Sequence, residues 1–89
     1  MYVLDEPEAA LSPQRQLTLL IHISRLAAQG AQFIIASHSP ILLGIPGASI
    51  LAFGQYGVER IEYEETESYR VTELFINNRD YFLDMLLKN

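Results

Sequence analysis

The sequence predicts an α/β chain built on one parallel βαβ unit, and three observations carry that prediction. Two short apolar runs, Tyr2-Val3-Leu4 and Gln32-Phe33-Ile34-Ile35-Ala36-Ser37, have the composition of buried strands. Between them runs a stretch with apolar residues at helical spacing, bounded by helix start and stop signals. Strand, helix, strand is the crossover unit that sets its two strands parallel, and it is right-handed in nearly all known cases.

The first run is apolar without alternation, as in a central strand covered on both faces, and Pro7 ends it. It delivers Asp5 and Glu6 at its C-terminal end. Ser12 is a good helix N-cap and Pro13 fits the first helical position, where its missing N–H costs nothing. Leu19, Leu20, Ile23, Leu26 and Ala27 then mark one face of a helix reaching about Gln29, and Gly30 is the expected stop. The second strand leads into Ser37-His38-Ser39-Pro40. Parallel strands place Asp5, Glu6 and His38 at one edge of the sheet, where such sheets carry their chemistry.

Beyond Pro40 the sequence predicts a short helix over 41–44, a turn at Pro46-Gly47 and a third buried strand over 49–53. Gly54 to Gly57 reads as a hairpin loop, followed by a half-exposed edge strand over 58–63. Glu62, Glu64, Glu65 and Glu67 read as a solvated strand end and loop. Val71, Leu74, Phe75, Phe82, Met85 and Leu86 form a helical apolar stripe over 69–87, which Asn77-Asn78 divides into two helices. No repeat, low-complexity tract or linker interrupts the chain, so residues 1–89 are expected to form a single partial domain.

A chain of 89 residues buries a modest fraction of its surface, yet this one is 49% hydrophobic. That combination predicts surfaces meant to be covered by further polypeptide. With 11 acidic against 6 basic residues and a net charge of -5, the overall balance does not ask for nucleic acid or an anionic membrane. The absence of cysteine excludes disulfides and thiolate zinc sites. No apolar run has the length of a membrane span, and the N-terminus lacks the layout of a signal peptide. The expectation is a cytoplasmic protein without membrane attachment.

Adjacent acids at the end of an apolar run can divide labour, one holding a metal and the other acting on a water. The plainer reading of Asp5-Glu6 is a strand-end turn, since Asp is a turn former. A histidine alone is more often structural; His38 gains interest from the acids upstream in the same unit, whereas His22, mid-helix with no partner motif, does not. Tyr63 and Tyr69 read as packing residues, and Arg15 as a solvated side chain.

Leu4-Asp5-Glu6-Pro7, Ala10-Leu11-Ser12-Pro13 and a strand ending in Ser37-His38 resemble, in this order, the Walker B motif, D-loop and H-loop of an ABC-type ATPase. The resemblance spans roughly residues 2 to 53 and is closest to the soluble predicted ATPases allied to the SMC and RecF proteins. Tyr63-Glu64-Glu65-Thr66 and Thr72-Glu73-Leu74-Phe75 also look like the C-terminal tails of those ATPases, which makes 54–89 a hairpin and helical tail. The resemblance implies the C-terminal part of a P-loop NTPase fold, with ATP and Mg²⁺ as cofactors. Asp5 would help hold the metal, Glu6 would polarise or deprotonate the attacking water, and His38 would contact the γ-phosphate and that water. Glu8, Ala9, Ala10, Leu11 and Ser12 would form the D-loop, which crosses between two nucleotide-binding domains. Here the chain departs from the transporter pattern: Glu8 and Ala9 stand in place of small hydroxyl residues, and Ser12 replaces an aspartate.

The phosphate cradle G-x-x-x-x-G-K-[ST] appears nowhere in these residues, nor does a serine-glycine signature motif. The expectation is therefore a C-terminal fragment of an ATPase that hydrolyses ATP in its full-length form and is inactive alone, its partner being a P-loop-bearing N-terminal half. In such sheets the His38 strand lies between the Walker B strand and the P-loop strand, so an exposed strand edge would favour homo-oligomers. The alternative is a non-catalytic interaction module that pairs with a P-loop-bearing partner. A transporter subunit fits the D-loop departure and the tail less well, and nucleic-acid binding enters only by analogy with relatives.

Overall fold

The structure, a computed structural model, describes residues 1–88, which form two compact units, one over Met1–Ile50 and one from Leu51 onward. The first unit is the βαβ crossover. Strand β1 (Tyr2–Asp5) pairs in parallel with β2 (Phe33–Ala36), and helix α1 (Pro13–Ala28) connects them. The register sets Tyr2 against Phe33, Val3 against Ile34, Leu4 against Ile35 and Asp5 against Ala36. Tyr2 and Phe33 stack with ring centroids 4.9 Å apart.

Helix α1 begins and ends where its sequence signals lie. Ser12 is the N-cap, its hydroxyl accepting the Arg15 N–H at 3.2 Å, and Pro13 takes the first turn. Gly30, at a φ of +101°, reverses the chain in a conformation that side chains with a Cβ rarely adopt. Replacing Ser12 by Ala is expected to cost about 1 kcal/mol, the usual value of a hydroxyl N-cap. Urea unfolding checks this; a loss under about 0.3 kcal/mol would show that the exposed cap contributes nothing here.

The apolar centre of this unit is small. Ile23 of α1 and Leu42, in a 3₁₀ turn over Leu42–Gly44 that α1 contacts, are its buried apolar side chains. The expectation of a central strand covered on both faces does not hold for β1. Leu4, Phe33 and Ile35 are half-buried on one face, while Val3 is 71% and Ile34 58% exposed on the other. One crossover helix covers only one face of a strand pair, and the first unit has no second layer for the other. Leu26, at the rim of the predicted helix face, stays exposed.

Strand β3 (Ile50–Gly54), whose first residue ends the first unit, and β4 (Gly57–Ile61) pair as a hairpin through Gln55-Tyr56, with Gly57 at a φ of +120°. Strand β3 is not the buried strand the apolar composition predicts: Phe53 is 84% exposed, because the hairpin has only two strands. The acidic stretch is more ordered than a loop. Tyr63–Glu65 forms a 3₁₀ turn in which the Glu65 carboxylate accepts the Glu62 N–H at 2.8 Å. Thr66, buried, donates to the Tyr63 carbonyl and accepts the Tyr69 N–H, capping α2 (Glu67–Asn77). Tyr63 and Tyr69 pack as rings 4.9 Å apart. Burial, with Tyr69 and Glu64 beside it, pushes the Tyr63 phenol above its ordinary value. The predicted break falls at Asn78, whose side chain donates to the Leu74 carbonyl, and α3 (Arg79–Leu86) follows. Phe75 and Phe82 meet across that break, but Val71, Leu74, Met85 and Leu86 of the apolar stripe remain exposed.

Candidate functional site

Because β1 and β2 run parallel and in register, the residues that follow them leave the sheet at the same end. The Glu6 N–H donates to the Ala36 carbonyl at 2.7 Å, extending the ladder by one bond past β1. The Glu6 backbone then turns into the left-handed region at a φ of 47°, which a side chain with a Cβ adopts only at a cost. This turn brings the Glu6 carboxylate to 3.9 Å from His38 Nε2. That distance is too long for a hydrogen bond, and the pair is open to water, with the His38 side chain 86% exposed. Asp5, Glu6 and His38 thus share one end of the sheet, as the sequence predicts, and the structure brings Glu6 and His38 together.

Residues 8–12 wrap the same end. Ala9 N–H donates to the Glu6 carbonyl and Leu11 N–H to that of Glu8, and Ala10 takes a second left-handed conformation at a φ of 65°. Ala9, Ala10 and Ser12 are exposed, whereas Leu11 is half-buried. Glu8 does not face outward. Its carboxylate accepts the Ser37 hydroxyl at 2.8 Å and the His38 N–H at 3.0 Å, tying the segment after β1 to the turn after β2.

A second tie runs beneath the first. Ser39, only 4% exposed, accepts the N–H groups of Ile41 and Leu42 at 3.1 Å each and donates its own proton to Gln16 Oε1. The Gln16 amide in turn donates to the Leu11 carbonyl at 3.1 Å. Ser39 N–H donates to Ser37 Oγ, so the 37–39 turn is linked internally as well.

Four of these residues lie outside the sequence prediction in their observed roles: Glu8 as an intramolecular clamp, and Gln16, Ser37 and Ser39 as its supports. One carried a legible signal. Ser39-Pro40 repeats the Ser12-Pro13 pattern of a hydroxyl before a proline that opens a helical turn. The Glu8 and Gln16 partners lie 29 and 23 residues away, beyond any local pattern.

The Glu8 carboxyl is electrostatically unlike an ordinary surface acid. Burial works to raise its pKa, but hydrogen bonds from its own amide, the His38 amide and the Ser37 hydroxyl, with the His38 charge, prevail and hold it below 4.5. A depressed carboxyl stabilises the fold above its unfolded pKa, and that contribution disappears as pH falls through the folded value. The difference in melting temperature between the wild type and Glu8→Gln is therefore expected to be largest well above the ordinary carboxylate range and to shrink as pH falls through the lowered folded value. Thermal melts from about pH 6 to about pH 2 check this, and a difference independent of pH would contradict it.

Among the described residues no group of three or more His, Asp or Glu side chains is placed to hold a metal by itself. A hard cation bridging phosphates keeps several waters and takes one or two carboxylates; the side chains of Asp5 and Glu6 are both exposed at this end of the sheet. Among the described residues no helix is long and apolar enough to cross a membrane.

Residues 1–44, just under half of the chain, match the model of a family described as AAA domain, putative AbiEii toxin, Type IV TA system. This similarity covers β1, α1, β2 and both ties, and it supports a P-loop AAA-type ATPase domain as the context of these residues. A parallel strand pair with a crossover helix is compatible with that fold. No curated protein and no solved structure matches the chain.

Proposed function

We propose that this chain carries the water-activating end of an ABC-type ATPase related to the SMC and RecF proteins, and works with a P-loop-bearing polypeptide that supplies the phosphate cradle. The observation that carries the reading is the convergence of Glu6 and His38 at the carboxyl end of a parallel strand pair, with Glu6 in a left-handed conformation. Strained backbone of this kind is over-represented at active sites, where surrounding structure holds it in place. The family match over residues 1–44 supports an AAA-type ATPase domain as the setting of these residues.

In this reading Glu6 takes the proton of the attacking water as general base, its backbone held at the strand end by the Glu6–Ala36 hydrogen bond. His38 stands beside it, exposed, with ring nitrogens available to a phosphate oxygen and the same water. Asp5 would help hold Mg²⁺, which would supply neutralisation of phosphate charge. Ala9, Ala10 and Ser12 present an exposed surface to a second nucleotide-binding domain.

The bare face of Val3 and Ile34 favours a second reading, an interaction module that pairs with a P-loop-bearing chain without turnover. Mixing the full chain with the P-loop-bearing half and following phosphate release from Mg-ATP separates the two. Release that neither component shows alone supports the ATPase, and complex formation without release supports the module.

A further inference from the structure

We propose that Glu8 is a positioning residue for His38, its carboxylate gripping the backbone after β2 so that the imidazole stands beside Glu6. This rests on the reading of Glu6 and His38 as the reacting pair. Packing does not fix the His38 ring, a side chain that is 86% exposed, and the Glu6 carboxylate lies 3.9 Å from its Nε2. The ring's place must therefore come from its backbone. That backbone is held by Glu8, whose two carboxylate oxygens take adjacent donors, the Ser37 hydroxyl and the His38 N–H.

Bonds to an ionised acceptor are roughly twice as strong as neutral ones, and two on one carboxylate define an orientation as well as a distance. The clamp is built rather than incidental. Glu8 lies between the two left-handed residues Glu6 and Ala10, and the Ala9–Glu6 and Leu11–Glu8 backbone bonds hold it over the end of β2. From below, Ser37 Oγ also accepts the Ser39 N–H, and Ser39 is anchored through Gln16. The His38 amide is thus set between a fixed carboxylate and a buried serine.

The test has two arms. In the first, without nucleotide, amide NMR of the full chain compares the wild type with Glu8→Ala and Glu8→Gln. In Glu8→Ala the His38 amide proton is expected to move upfield and its hydrogen exchange to rise by about tenfold or more, the equivalent of losing one bond to a charged acceptor. Glu8→Gln, which keeps one acceptor oxygen, is expected to fall between.

In the second arm the same variants are mixed with the P-loop-bearing half. Glu8→Ala is expected to lower kcat by about 100-fold, the scale of a small misplacement of a reacting group, with KM changed less than about twofold. The double variant Glu8→Ala/His38→Ala should be no slower than His38→Ala alone, because Glu8 acts through His38. Additive losses, or an unchanged His38 amide, would overturn the proposal. If the wild-type mixture releases no phosphate, the ATPase reading fails and the catalytic role of Glu8 with it; a surviving amide signature then locates the failure in the chemistry and not in the clamp.

Discussion

Glu6→Gln is expected to slow ATP hydrolysis by the reconstituted protein by about 10²- to 10⁴-fold, the usual contribution of a positioned general base. The substitution is nearly isosteric. It keeps the volume of the side chain and the backbone N–H that donates to the Ala36 carbonyl, so the strand end and its left-handed turn should survive. What it removes is the ability to accept a proton from water. Nucleotide affinity should be almost unchanged, since uniform binding is made elsewhere, and the loss should appear in kcat. Single-turnover phosphate release at saturating Mg-ATP measures it. A reduction of less than about tenfold would assign proton removal to another group and leave Glu6 as a bystander.

Ser39→Ala should be the most damaging small substitution for the first unit, costing about 3 kcal/mol. That is the upper end of the roughly 1–3 kcal/mol lost when a buried polar group is left without its partner. The upper end applies because one hydroxyl serves three groups: the amides of Ile41 and Leu42 lose their acceptor, and Gln16 loses its donor. The methyl of alanine replaces none of these in a site that is 4% exposed. Leu42, one of the two buried apolar side chains of this unit, belongs to the turn that would loosen. Urea unfolding followed by far-UV circular dichroism, to which the 16 residues of α1 contribute strongly, reads the change. A loss below about 1 kcal/mol would show that water replaces the serine without cost.

The parts of the fold that were legible in the sequence share a physical cause: they are short-range. Ser12-Pro13 and Gly30 mark the ends of α1 because capping and left-handed stops act within a turn. The parallel setting of β1 and β2 follows from the crossover rule once the helix between them is recognised. The common position of Asp5, Glu6 and His38 at one end of the sheet follows from that in turn. Burial is not legible where it depends on partners rather than composition. Val3 and Phe53 have the side chains of core strands, yet each strand pair here has two strands and too few layers to cover them.

The amino-acid sequence by itself determined which residues stand at the end of the βαβ unit, because strand direction and element order are properties of local pattern. Only the tertiary structure decided how they are held. Glu8 reads in sequence as part of an outward-facing loop; in the fold it turns inward onto Ser37 and His38. Two left-handed residues set that direction, and neither is a glycine that would have announced it. Gln16 and Ser39 meet across 23 residues for the same reason: a hydrogen bond between side chains on separate elements depends on the packing of those elements, which no local pattern encodes.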